Sequence, residues 1–225
     1  MWSIGEIKAR GKEAFKANYW KSVIVAFILS ILTAGSSVAT RNETSSEDVQ
    51  ESLLAADPMV LQIIAGGLFA IIIVSLLLRI FVFNPLQVGG YQFFKKNVTE
   101  GHATLGTIGE GFSGYGHTFI TLLLRDIFLG LWCCLLIIPG LIKSYSYRMV
   151  PYIIKDNPEL SATEVITKSR KMMDGNKWRA FLLDLSFIGW LLLSLITLGI
   201  VGLLWTNPYI QNTNAALYQE LSKNN

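Results

Sequence analysis

Five charged residues stand inside long apolar runs of this chain: Arg79, Arg125, Asp126, Arg148 and Asp184. A charge at the centre of a membrane helix costs about 2.5–3.5 kcal/mol on insertion scales, so each needs a partner or water. Three arginines and two aspartates make a net-positive cluster, and such a cluster can serve in two ways. Paired across helices it is structural glue, with Arg79 reaching back to the interface by its long stem. With one arginine left unpaired it is a pocket for a small anion or a lipid headgroup, because a guanidinium presents a fixed fork of donors. Arg125 and Asp126 are neighbours in sequence, so helical geometry sends each to a partner on another helix.

The remaining motifs carry less chemistry. Gly109-Glu110-Gly111-Phe112-Ser113-Gly114 has the glycine spacing of a phosphate-cradling loop, but that motif has meaning only between a strand and a helix. No strand precedes it, and the segment reads as a loop. His102 and His117 lie fifteen residues apart without a cysteine or a paired carboxylate, which suits interfacial histidines better than metal ligands. Cys133 and Cys134 are adjacent, about 100° apart on a helix, and read as small core residues. No Ser-His-Asp set, nucleophile elbow or H-E-x-x-H occurs. The chemistry expected is binding rather than catalysis, with no cofactor and no metal.

The elements that hold these charges follow from composition. The chain has 225 residues, 52% of them hydrophobic and only 16% charged, and a mean hydropathy of +0.44. Soluble domains carry about 25% charge. A net charge of +3, scattered along the chain, excludes a nucleic-acid surface. Met59 to Leu78 is twenty residues without a charge, enough to cross the roughly 30 Å hydrocarbon core. An earlier span runs from about Trp20 to Ser36. The five basic residues ahead of it (Lys8, Arg10, Lys12, Lys16, Lys21) suit an N-terminus inside the cell. Ser37-Val38-Ala39 resembles a signal-peptidase site, yet the long basic lead favours a retained helix.

Charge bias then threads the rest. Residues 37–58 form an acidic outer loop, 84–116 and 156–178 are cytoplasmic, and both termini lie inside. Thr118 to Ile137 goes out, Pro139-Gly140 turns, and Leu141 to Lys155 returns. Trp178 to Ile196 goes out, Thr197-Leu198-Gly199 turns, and Ile200 to Gln219 returns. The expectation is a single all-α domain with about six transmembrane helices. Four crossings, with 141–155 along the interface, is the alternative. By helical rise all five charges then lie roughly 6–12 Å from the inner surface. Ser3-x-x-Glu6 is a capping box opening an amphipathic helix over residues 1–19, expected on the inner leaflet. Ser161-x-x-Glu164 is a second, opening a short helix that ends at Asp174-Gly175. Asn207-Pro208 kinks the last helix, where Gln211, Asn212 and Asn214 serve as polar glue.

Several motifs together resemble the integral-membrane family catalogued as domain of unknown function 975, found mainly in Gram-positive bacteria. They are Met149-Val150-Pro151-Tyr152, Asp156-Asn157-Pro158, Gly175-Asn176-Lys177-Trp178, Leu185 to Trp190 and Leu203 to Tyr209. Asn84-Pro85-Leu86 and Val88-Gly89 join them, with Ser169 and Met173. The resemblance implies a multi-pass protein of a bacterial plasma membrane and supplies no activity. Two functions are carried forward. One is a non-enzymatic membrane component binding an anionic lipid or small anion, in transport or envelope maintenance. The other is an adaptor or immunity-type protein acting through a protein partner.

Overall fold

The computed structural model describes residues 2–34 and 57–223. The acidic loop expected over 37–58, apart from Asp57 and Pro58, lies outside the described residues, as does Ser37-Val38-Ala39. Every regular element among the described residues is helical. Helix α1 (Ile4–Ala17) starts at Ser3, whose Oγ accepts the Glu6 amide at 3.1 Å. Asn18 breaks the chain, and α2 (Tyr19–Ala34) leaves bent from α1 by 106°. Helix α3 (Pro58–Leu78) runs through a π turn (Arg79–Phe83) into α4 (Asn84–Glu100). These three make one helical run of 43 residues.

A 3-10 helix (Leu105–Phe112) lies on α4 and leads into α5 (Tyr115–Leu135). Helices α6 (Ile137–Ser146), α7 (Val150–Asp156) and α8 (Ala162–Met172) follow. Then come α9 (Lys177–Leu185), α10 (Ile188–Ile196), a second π turn (Gly202–Thr206) and α11 (Asn207–Ser222).

The core is one cluster to which α1, α2, α4, α5, α7, α8, α9 and α11 all contribute. Ile7 and Phe15 of α1, Val25 of α2, Val88, Phe93 and Phe94 of α4, and Ala215 to Leu217 of α11 are fully buried. The apolar face of α1 is therefore covered by protein; the expected contact of that face with the inner leaflet is corrected. At the centre Asn97, fully buried, donates to Ala14 O at 2.8 Å and to Asn212 Oδ1 at 2.8 Å. Its own Oδ1 accepts from Asn18 Nδ2 at 3.0 Å, and Asn18 also donates to Ala103 O at 2.9 Å. Of the polar glue expected on the last helix, Asn212 accepts from Asn97 at 2.8 Å and Asn214 from Arg148 at 2.6 Å. The buried Oε1 of Gln211 has no hydrogen-bond partner among the described residues. Asn207 Nδ2 adds a bond to Ser30 Oγ at 3.1 Å.

Two π turns each stand immediately before an Asn-Pro pair, Asn84-Pro85 and Asn207-Pro208. Proline lacks the amide that would close the preceding turn, and a π turn absorbs the mismatch without breaking the helix. The segment 84–116, read as a loop with an amphipathic start, is instead mostly helix docked in the core. The glycines of the G-x-G-x-x-G string explain this. A Cβ on Gly111 would lie 1.8 Å from Pro85 O, and one on Gly89 would lie 1.9 Å from Ile108 O. They let the 3-10 helix press backbone to backbone on α4, a packing role with no phosphate cradle.

α1 and α8 repeat one pattern 158 residues apart: Ser3/Ser161, Glu6/Glu164, Ile7/Val165, Asn18/Asn176 and Trp20/Trp178. Ile7, Gly11 and Ala14 are buried on α1, as their counterparts Val165, Ser169 and Met172 are on α8. Trp20 and Trp178 are exposed to similar extents, 70% and 68%.

Two turns depart from expectation or meet it. The chain reverses at Leu136, in extended conformation, and Pro139 and Gly140 lie inside the first turn of α6. A proline is tolerated there because its missing amide would have had no partner. Gly140 packs on Cys133, where a Cβ would sit 2.6 Å from Sγ. Cys133 and Cys134 are both exposed beside this hairpin, which corrects their reading as core residues. The turn at Thr197-Leu198-Gly199 forms as expected, with Leu198 at φ 51° and Gly199 at φ 88°.

Three helical runs are long and apolar enough to cross a membrane: Pro58–Glu100, Tyr115–Leu135 and Lys177–Ile196. The bent pair α1–α2 raises the number to four. The 18-residue apolar window of Pro58–Glu100 is wholly unburied by protein, as an all-round apolar helix in lipid would be. A six-crossing path starts α6 and α9 at opposite faces of a layer about 30 Å thick. In the structure Leu141 and Ile142 of α6 share one cavity with Lys177 and Trp178 of α9.

Candidate functional site

The five charges singled out in the sequence form two groups. Arg79 from the first π turn and Arg125 and Asp126 from α5 line one small cavity of about 140 Å³. Leu32 of α2, Phe83, and Asn84 and Gln87 at the start of α4 complete the lining. Arg148 and Asp184 do not reach this cavity; they pair with each other between the α6–α7 junction and α9.

Within the cavity Arg125 turns to its own neighbour. Its Nε donates to Asp126 Oδ1 at 2.9 Å and its Nη2 to the same oxygen at 2.7 Å. This corrects the expectation that each would pair with a different helix. Adjacent Cβ atoms diverge, but the arginine stem is long enough to curl back, and among the described residues no other carboxylate pairs with Arg125. Arg79 has no carboxylate partner among the described residues. The cavity thus holds two guanidinium groups, one carboxylate already engaged, and two side-chain amides. Its net charge is positive and its donors outnumber its acceptors, which is the chemistry of an anion site.

The π turn is what places Arg79 here. It lies between the apolar α3 and the Asn84-Pro85 pair, so the proline that forces the turn also fixes where the arginine leaves the helix. Asn84 and Gln87 were missed by sequence reasoning, although Asn-Pro directly after an apolar span marks a break where polar side chains gather.

The second group is a closed ion pair. Arg148 Nη1 donates to Asp184 Oδ2 at 2.8 Å and Nη2 to Oδ1 at 2.7 Å, a two-pronged contact. Tyr145 Oη donates to Asp184 Oδ2 at 2.9 Å, and Arg148 Nη2 also reaches Asn214 Oδ1 at 2.6 Å. With the carboxylate saturated and the guanidinium engaged three times, this group ties α6, α9 and α11 together. The histidines meet only backbone: His117 lies 2.7 Å from Leu160 O and His102 2.7 Å from Glu100 O.

Fold and cavity together define an all-helical protein with three to four helices of membrane-crossing length and a positively charged polar cavity beside one of them. Residues 10–225 match the family of proteins of unknown function DUF975, and the chain belongs to that family. No curated protein and no solved structure matches it.

Proposed function

We propose that the protein is a multi-pass component of a bacterial plasma membrane that binds a small anion, free or as a lipid headgroup, in the Arg79–Arg125 cavity. It acts without catalysis, in transport or envelope maintenance. One observation carries this reading: Arg79 faces a polar cavity whose single carboxylate, Asp126, is taken by Arg125. An arginine without a counter-ion near a bilayer needs water or an anion. Shared lining of one cavity by Leu141 and Trp178 weighs against six crossings.

The test is calorimetric titration of the detergent-extracted protein with inorganic phosphate. Arg79→Gln should weaken binding at least about tenfold while leaving the fold intact, since no ion pair is broken. Equal binding by wild type and Arg79→Gln would sink the proposal.

The second reading is an adaptor for a protein partner. It draws on an exposed groove of about 350 Å³ along α8, lined by Leu160, Thr163, Glu164, Thr167, Lys168 and Lys171. On that reading a partner would co-purify with wild type and with Arg79→Gln alike, and would be lost from Lys168→Glu.

A further inference from the structure

A second cavity, of about 390 Å³, lies between α6 and α9 and is lined by Leu141, Ile142, Tyr145, Lys177, Trp178 and Phe181. Its walls are apolar and aromatic. Trp178 stacks on Phe181 with centroids 5.2 Å apart, and Tyr145 meets Phe181 edge-on at 6.3 Å. Leu141, Ile142 and Trp178 are all exposed, so the groove is open along its side.

Its rim is cationic. Lys177 lines the groove itself. Lys143, next to Ile142 on α6, stands 4.5 Å from the Trp132 ring. Asp174 lies 3.5 Å from Lys177 and is exposed. Asp184, which touches Tyr145, is already held by Arg148. Lys177 of α9 and Lys143, the neighbour of Ile142 on α6, thus bring two cations to the apolar slot, with the exposed Asp174 beside Lys177 as the carboxylate that offsets them. Like charges brought together in this way repel unless an anion bridges them. Trp178 at the mouth, an amphipathic ring beside lysine and arginine, is the residue type that settles at the level of lipid headgroups.

We propose that this groove binds an anionic phospholipid. Its phosphate sits between Lys143 and Lys177, and one acyl chain lies along Leu141, Ile142, Trp178 and Phe181. The match is one of charge at the rim and apolarity in the slot. A free phosphate would satisfy the first and leave the second empty. The proposal rests on the membrane reading above but uses none of the residues of the Arg79 cavity.

The experiment is native mass spectrometry of the full chain in mild detergent, titrated with equal amounts of phosphatidylglycerol and phosphatidylcholine. Wild type should retain phosphatidylglycerol in preference, on the order of tenfold. The double substitution Lys143→Gln with Lys177→Gln should abolish the preference. Trp178→Ala should reduce retention of both lipids. Excess inorganic phosphate should fail to displace the bound lipid; displacement would mean that a free anion is the occupant and would overturn the assignment. Arg79→Gln should leave the preference intact, and its loss there would move the lipid to the other cavity and overturn it too. An unchanged preference in the double lysine variant would do the same. Recovery of the chain in the soluble fraction without detergent would instead strike the membrane reading. Folding of each variant is checked by its elution volume and melting curve beside wild type.

Discussion

Asp184→Ala tests whether the second charge group is glue or site. The substitution removes both oxygens that hold Arg148, at 2.7 and 2.8 Å, and the acceptor of Tyr145 Oη at 2.9 Å. Breaking a fully buried ion pair by deleting one partner costs about 3–5 kcal/mol. Here the Asp184 side chain is 37% exposed and the Arg148 side chain 17%, so water screens part of the loss. About 2–3 kcal/mol is then the expectation. Arg148 keeps its bond to Asn214 at 2.6 Å, which also limits the damage. Arg148→Met should cost a similar amount, because it strands the carboxylate.

The double variant should cost about 1–2 kcal/mol, well below the sum, since neither stranded charge remains. Chemical denaturation of the three variants in mild detergent measures the coupling. Strict additivity of the two single changes would refute the reading of a closed structural pair. Unchanged anion binding by the double variant is the companion expectation.

Three further predictions follow from the fold. Asn97→Ala should destabilise by about 2–4 kcal/mol, since it orphans Ala14 O and Asn212 Oδ1 in the core, and urea melts beside Asn97→Asp check it. Gly111→Ala should prevent accumulation of folded protein, because its Cβ would meet Pro85 O at 1.8 Å, whereas Gly109→Ala, with open space around it, should be neutral by thermal melt. The Glu164 carboxyl is held below its ordinary value near 4.5 by hydrogen bonds from the Ser161 hydroxyl and amide. A depressed carboxyl contributes stability above its unfolded value and loses it as pH falls through the folded one. Protection of the amides in the first turn of α8, measured relative to their intrinsic exchange rate at each pH, should therefore fall below about pH 4.5 in wild type. Glu164→Gln should remove that pH dependence; an unaltered pH profile would contradict the assignment.

Much of this architecture was legible in the sequence, for reasons that can be located. Apolar runs such as Met59 to Leu78 announce a helix in any packing environment, and the capping boxes at Ser3 and Ser161 act within one turn. The Thr197 to Gly199 turn is likewise local. What escaped depends on contacts between distant segments. The helix Asn84–Glu100 is held by the backbone docking of the 3-10 helix at Gly89 and Gly111, which hydropathy cannot register.

The reversal at Leu136 displaced the expected Pro139-Gly140 turn because proline suits a first helical turn as well as a loop. The self-pairing of Arg125 with Asp126 depended on rotamers, which helical spacing does not determine. A long-range repeat is also written in the sequence. The spacing of 158 residues between Ser3-x-x-Glu6 with Asn18 and Trp20, and Ser161-x-x-Glu164 with Asn176 and Trp178, reveals the related helices α1 and α8. The site was half legible: the charges stood out, but their division into an open cavity and a closed pair needed the structure.

The most direct test of the central claim is native mass spectrometry of the protein gently extracted from its own membrane, run beside Arg79→Gln. The account predicts a bound phosphate or anionic headgroup on wild type that is lost from Arg79→Gln while the protein stays folded. The same anion on both proteins, or on neither, would contradict a binding role for the Arg79–Arg125 cavity.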